Sequence, residues 1–241
     1  MNPGTMTTEP LYREAPYEVT FEATVLAADD NGIVLDRSLF YPQGGGQPGD
    51  AGTLVTAGGT SLAIGDTRRD ADGAVRHLPN DGVGLPTAGE RVHGEINWSL
   101  RHIRMRVHTA LHLLSVVIPA PVTGGSISDG QGRLDFDLPE STLGRDTVTD
   151  ELRKLIAADY PVTTEWITEE ELDARPELVK TMSVKPPRTG GPVRLVRIGD
   201  IDLQPCGGTH VASIAEIGDV RVRKIEKKSR HNRRVNIVLE G

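Results

Sequence analysis

Up to residue 97 the chain never sustains a 3.6-residue apolar period; immediately afterwards it does. That break constrains the fold more than any other feature. Before it, polar and apolar residues alternate in short runs punctuated by Gly, Asp and Pro, the pattern of half-buried strands. Tyr17 to Val25 alternates, Asp30-Asn31-Gly32 turns the chain, and Ile33-Val34-Leu35 resumes it. A glycine-rich loop, Phe40-Tyr-Pro-Gln-Gly-Gly-Gly-Gln-Pro-Gly-Asp50, comes next, then strand-like runs at 52–57, 61–67, 74–78 and 90–97. The first region is expected to be a small all-β domain, a barrel.

Beyond Asn97 the pattern is mixed. Ser99 can cap a helix, and Ile103, Val107, Leu111 and Leu114 carry a helical period through Val117, until Pro119 and Pro121 stop it. The spacing then predicts a Gly/Ser loop at 123–132, a strand at 133–138, a helix at 146–159, a strand at 161–167 and an acidic helical stretch from Thr168. The β runs at 193–199, 201–204, 211–226 and 234–239 complete the chain. The expected fold class is α+β, with domains 1–97 and 98–241.

Charge and composition exclude several function classes. The first twenty residues lack the apolar core of a secretory signal, and no run approaches the ~18 apolar residues of a membrane span. The single cysteine, Cys206, rules out an internal disulfide and fits a reducing cytoplasm. Net charge is −7, which argues against a nucleic-acid binder, but the average conceals −8 over 1–97 and +1 over 98–241. Arg221, Arg223, Lys224, Lys227, Lys228, Arg230, Arg233 and Arg234 crowd one segment against a single acid, Glu226. Such a strip is either a solvated strand face or a phosphate-binding surface, since screening beyond ~10 Å lets a local patch act against the overall charge.

The chemistry concentrates in two short motifs. His108 and His112, four apart in a helix, project from one face and preorganise two metal ligands. Far downstream, Cys206-Gly-Gly-Thr-His210 pairs the only cysteine with another histidine. Taken singly, each pair has an ordinary structural explanation: core histidines, or a buried thiol beside a turn. Together, three of seven histidines and the only cysteine form a donor set suited to zinc. His77, His93, His102 and His231 have no partner spacing and read as structural. Arg101, Arg104 and Arg106 lead into the helix, where they can meet a nucleic-acid backbone; for two of the three, surface salt bridges are the expectation.

These two motifs, with the glycine-rich 40–50 loop, give the chain its resemblance: it resembles the editing domain of alanyl-tRNA synthetase and its freestanding relatives, the AlaX trans-editing proteins, in their longer form with an N-terminal β domain. The resemblance covers nearly the whole chain and implies a hydrolase that deacylates mischarged tRNA(Ala), chiefly Ser-tRNA(Ala) and also Gly-tRNA(Ala). With no room for an aminoacylation domain, it implies action in trans. It further implies one zinc ion on His108, His112, Cys206 and His210, no nucleotide cofactor, and a polar residue after the His–His helix that recognises the serine hydroxyl. Thr123 is the first choice for that role and Ser126 the second; ordinary turn hydroxyls are the alternative. Gly45, Gly46 and Gln47 would approach the substrate, and the strip from Arg221 to Arg234 would meet tRNA phosphates. Two other readings stay open: editing of another aminoacyl-tRNA of threonyl type, Ser-tRNA(Thr), and a non-catalytic RNA-binding module stabilised by zinc.

Overall fold

The computed structural model describes residues 7–70, 73–80, 84–139, 143–181 and 191–240. It forms two compact units, Met1–His102 and Ile103–Gly241.

The strands of the first unit are β1 (Glu9–Pro10), β2 (Thr20–Asp29), β3 (Gly32–Leu35), β4 (Arg37–Ser38), β5 (Gly52–Thr56), β6 (Ser61–Arg69), β7 (Val75–Pro79) and β8 (Arg91–Ile96). Six of them close a barrel in the order β2-β3-β7-β6-β5-β8. Alternation along β2, β6 and β8 sends Phe21, Ala23, Val25, Leu62, Ile64, Val92 and Ile96 inward to meet Ile33, Leu35, Phe40 and Leu54. In the glycine-rich segment, Gly44 and Gln47 exchange backbone hydrogen bonds of 3.1 and 2.9 Å around Gly45-Gly46. Both central residues have positive φ (56° and 84°), so this is a tight turn that only glycines close cheaply. Gln47 is buried beneath it, while a side chain added at Gly45 would meet nothing.

The helix α1 (Trp98–Val117) starts one residue earlier than Ser99 can cap it. Asn97 is the cap: its Oδ1 accepts from the Leu100 amide at 3.2 Å and its carbonyl from the Arg101 amide at 3.0 Å. The division between the units falls within α1, beyond residue 97, because its first turn belongs to the barrel's buried network. Arg101 is fully buried and donates to Asp50, to the Leu39 carbonyl at 2.5 Å and to the Pro16 carbonyl at 3.0 Å. Asp50 in turn accepts the Tyr41 amide at 2.7 Å. Arg101 is therefore no surface cation. Breaking such a buried pair from one side costs about 3–5 kcal/mol.

The second unit holds β9 (Val122–Ser128), β10 (Gln131–Asp137), α2 (Arg145–Ala157), β11 (Val162–Ile167), α3 (Glu169–Asp173), β12 (Val193–Ile198), β13 (Asp202–Pro205), β14 (Asp219–Lys227) and β15 (Asn232–Glu240). An antiparallel sheet runs β14-β15-β10-β9, and a second runs β11-β12-β13. The expected Gly/Ser loop at 123–132 is instead a hairpin: Ser128 faces Gln131 across Asp129-Gly130, and Thr123 to Ser128 lie in β9. Glycine allows this, since α1 crosses so close that a Cβ on Gly132 would lie 2.7 Å from Val107 Cγ1. The expected strand 211–226 begins only at Asp219. Before it, Ser213 caps a short 3-10 turn, Ile214–Ile217, through a reciprocal bond with Glu216. Thr168 caps α3 in the same manner. Among the described residues, no helix is long and apolar enough to cross a membrane.

One barrel residue carries a pH dependence. His77 is fully buried, with Nδ1 at 2.9 Å from the Ile33 carbonyl and Nε2 at 2.7 Å from Ser38 Oγ. The carbonyl requires a proton on Nδ1, so Nε2 accepts from the serine and the ring is neutral. Burial holds its pKa down at about 4, from 6.5. Below pH 6.5 the unfolded chain therefore takes up a proton that the folded chain refuses, and stability present above pH 6.5 is lost as pH falls towards 4. Between pH 7 and 5 the loss is about 2 kcal/mol. Denaturant unfolding of wild type and His77→Gln at both pH values should show that difference in wild type alone; equal losses in both would contradict it.

Candidate metal centre

The site lies wholly in the second unit. His108 and His112, one helical turn apart on α1, meet Cys206 and His210 from the segment after β13. One ligand atom from each of the four lies within 4.8 Å of all the others. Cys206 Sγ is 3.5 Å from His108 Nε2 and 3.3 Å from His210 Nε2. Bonds of ~2.05 and ~2.3 Å to a tetrahedral ion put nitrogen and sulfur ligands about 3.5 Å apart. The four donors therefore fit a metal ion.

Two of the three rings, His210 and His112, are oriented by their other nitrogen. His210 Nδ1 lies 3.1 Å from Thr109 Oγ1, a hydroxyl that donates to the Met105 carbonyl at 2.9 Å and accepts the Val211 amide at 3.3 Å. With its proton committed to Met105, the hydroxyl receives the His210 Nδ1 proton, leaving Nε2 for the cluster. His112 Nδ1 donates to Asp202 Oδ2 at 3.2 Å. That carboxylate is buried and further held by Lys180 Nζ at 2.5 Å and Gln204 Nε2 at 2.8 Å. The Cys206–His210 turn is clamped by buried Arg194, whose Nη1 donates to the carbonyls of Cys206 and Gly208 at 2.8 and 3.0 Å. The Gly208 amide points at Cys206 Sγ from 3.4 Å.

The electrostatics prepare a thiolate and a neutral His210 but leave His112 protonated. Burial works against the Cys206 thiolate, but the neighbouring imidazoles, His108 foremost, outweigh it and hold the thiol well below its usual range. Burial and the charge of His108 push His210 far below 6.5, so it is neutral. Burial also opposes a charged His112, yet Asp202 and Cys206 together raise it to about 9. Asp202 sits at about 2: burial opposes its charge, and His112, Lys180 and Gln204 overcome that. A metal ion binding here must displace the His112 proton.

Thr123 is the extra residue of a bulge in β9, since Asp135 pairs with Gly124 and Phe136 with Val122. Its hydroxyl donates to the Asp135 carbonyl at 3.1 Å and accepts from Asn232 Nδ2 at 2.8 Å. Ser126 faces Arg133 on the neighbouring strand. In the basic strip, Arg234 makes a two-bond pair with Asp135 (2.7 and 2.8 Å), Arg221 pairs with Glu240, and Arg233 donates to the Pro139 carbonyl at 2.5 Å. Lys227, Lys228 and Arg230 are exposed around the β14–β15 turn. Arg104 is buried against Asp129 at 2.9 Å, and Arg106 donates to the Ile217 carbonyl at 3.0 Å.

The sequence motifs omit Thr109, Asp202, Gln204, Lys180 and Arg194. The signal for Thr109 is a hydroxyl inside the His–x–x–x–His turn. For Asp202 it is the alternation Asp202-Leu203-Gln204, which buries both polar residues and leaves Leu203 partly exposed.

Known proteins are similar to both parts of the chain. Residues 10–100 match the family described as tRNA synthetases class II (A), and residues 193–236 match the threonyl and alanyl tRNA synthetase second additional domain. The chain thus carries two domains of class II tRNA synthetase type, the second of the kind found in the threonyl and alanyl enzymes. Alanyl-tRNA editing protein AlaX-M from Saccharolobus solfataricus is 34% identical over 95% of this chain and 97% of its own. AlaX-M from Methanosarcina barkeri is 35% identical over 96% of this chain and 99% of its own. The alanine–tRNA ligase of Archaeoglobus fulgidus is 32% identical over 91% of this chain, which spans 24% of that enzyme. The chain belongs to the AlaX family of alanyl-tRNA editing proteins.

Because Asp202 and Thr109 fix two of the rings, Asp202→Ala and Thr109→Val should each lower divalent-ion affinity about 10–100-fold, read by competition with a chromophoric chelator. Unchanged affinity in both would show that the rings are held by packing alone.

Proposed function

We propose that the chain is an aminoacyl-tRNA deacylase that acts in trans in the cytoplasm. It hydrolyses the ester between a wrong amino acid and tRNA(Ala), chiefly in Ser-tRNA(Ala) and also in Gly-tRNA(Ala), with one zinc ion held by His108, His112, Cys206 and His210. The observation that carries this reading is the convergence of those four donors, with the outward nitrogens of His112 and His210 already committed to Asp202 and Thr109. Bound zinc supplies a Lewis acid that lowers the pKa of water and polarises an ester carbonyl. The chain's own contribution is to hold a thiolate and a neutral His210 ready to ligate, while Asp202 orients His112 and buried Arg194 holds the Cys206–His210 turn.

Selectivity has a simple physical form. Serine exceeds alanine by one hydroxyl, which a site sized for alanine rejects poorly. A pocket that bonds that hydroxyl spares Ala-tRNA(Ala), whose binding would leave the same polar groups unpaired. Thr123 fits that role because Asp135 and Asn232 preorganise its hydroxyl, and Ser126 is the second candidate. The Gly45-Gly46 tip gives a substrate close access to backbone, with Gln47 supporting the turn from inside. The strip from Arg221 to Arg234 contributes phosphate contacts.

One observation favours a second reading. Four protein donors fill a tetrahedral ion, as in structural sites, whereas catalytic zinc normally keeps a position open. A purely structural zinc would leave an RNA-binding module without turnover. Deacylation of Ser-, Gly- and Ala-tRNA(Ala) and of Ser-tRNA(Thr), with and without chelator, separates these readings. The expected result is rapid metal-dependent loss of Ser-tRNA(Ala), slower loss of Gly-tRNA(Ala), and little change in the other two. No hydrolysis by folded, zinc-loaded protein would exclude the catalytic reading. Preference for Ser-tRNA(Thr) would replace it with the threonyl type.

A further inference from the structure

We propose that the solvent-facing side of the β14-β15-β10-β9 sheet is a groove that docks the phosphodiester backbone of RNA, built on a row of residues that crosses all four strands. This rests on the reading of the chain as a tRNA editor and assigns that function a docking surface.

Register places Ser126 of β9 opposite Arg133 of β10, Arg133 opposite Asn236 of β15, and Asn236 opposite Lys224 of β14. Cross-strand neighbours share a face, so these four side chains form one line. With strands about 4.8 Å apart, the line is about 14 Å long. It lies in a groove of about 310 Å³ whose lining also includes Ser128, Gln131, Arg223 and Glu226. The ladder shifts register between Val222 and Lys224, so Arg223 is an additional residue in β14. Without that bulge, consecutive residues would point to opposite faces; with it, both Arg223 and Lys224 line the groove.

The chemistry is that of a polyanion site. The groove's lining holds three cations and one carboxylate, Glu226, which Lys224 and Asn236 contact at 3.0 and 3.1 Å; a second carboxylate, Asp135, pairs with Arg133 from beside it. Arg133 uses one N–H on Asp135 at 2.6 Å, and Arg223 one on Gln131 at 3.1 Å. Each guanidinium has five N–H groups, so both have further donors to offer. The two serines, Gln131 and Asn236 add the hydroxyls and amides that bond phosphate oxygens and ribose 2′-hydroxyls. The length of the row suits an extended chain of phosphates better than a single small anion. The linear basic strip contains only Arg223 and Lys224 of this set, and its Arg221 and Arg234 are engaged by Glu240 and Asp135. The docking surface is thus a cross-strand feature, with Arg133 at its centre.

The test compares Arg133→Gln/Arg223→Gln/Lys224→Gln with Arg145→Gln/Lys154→Gln, two exposed α2 residues outside the groove. A third, charge-keeping variant is Arg133→Lys/Arg223→Lys/Lys224→Arg. Filter binding of uncharged tRNA(Ala) over a salt series, and KM and kcat for Ser-tRNA(Ala), are measured on the zinc-loaded full chain. The groove variant should bind about tenfold more weakly, lower the salt slope by about 2, raise KM and leave kcat unchanged. The charge-keeping variant should stay near wild type, as should the α2 variant. Affinity within twofold of wild type for the groove variant, or an equal loss in the α2 variant, overturns the proposal. If wild type binds tRNA but deacylates nothing, the reading of function fails while the binding series still decides the groove.

Discussion

Four donors drawn to within 4.8 Å of one another are mutually hostile unless their protons and charges are disposed of, and much of the second unit serves that need. Three imidazoles have been taken out of water, and a thiol partly so. Each nitrogen turned away from the centre must find a partner, or its desolvation is uncompensated. For His112 the partner is Asp202, itself buried and tolerable only because Lys180 and Gln204 share its charge. For His210 it is Thr109, whose proton is already given to Met105. The arrangement stores a thiolate beside an imidazolium until a metal ion replaces the proton.

Local structure follows from that requirement. His108 and His112 share a face because α1 is regular through them, and Thr109 lies between them on the same helix. Cys206 and His210 cannot come from a helix, because the Cys206-Gly-Gly segment must curl so that Arg194 can hold two of its carbonyls from beneath. The barrel faces a parallel problem. Arg101 is the largest fully buried side chain there, and Asp50 with the Leu39 and Pro16 carbonyls absorbs its charge. Both units thus organise their interiors around a desolvated charge that neighbours neutralise in several directions.

The fold was legible wherever periodicity was clean. The alternation of β2, β6 and β8 and the helical spacing of α1 place these elements to within a few residues, and the His–x–x–x–His and Cys–x–x–x–His spacings pick out the four donors. What remained hidden depends on tertiary context. Gly124 and Gly125 read as a loop, but they are strand residues, and at Gly125 an added Cβ would lie 2.9 Å from Leu134 Cδ2. Arg101 reads as a surface charge because nothing in its neighbourhood reveals Asp50, fifty-one positions away. Asp202 and Gln204 break the rule that alternation buries the apolar residue, since that strand turns its polar side to His112. The basic strip is visible as composition, but a bulge at Arg223 and the register across four strands decide which of its cations share a groove.

The central claim is that His108, His112, Cys206 and His210 together hold one zinc ion. The most direct measurement is X-ray absorption at the zinc edge on the full chain, with metal content determined on the same sample. The account predicts one zinc per chain in a shell of three nitrogen ligands at about 2.0–2.1 Å and one sulfur at about 2.3 Å, with the sulfur lost in Cys206→Ser. A shell without sulfur in the wild type, or no metal retained by folded protein, would contradict it.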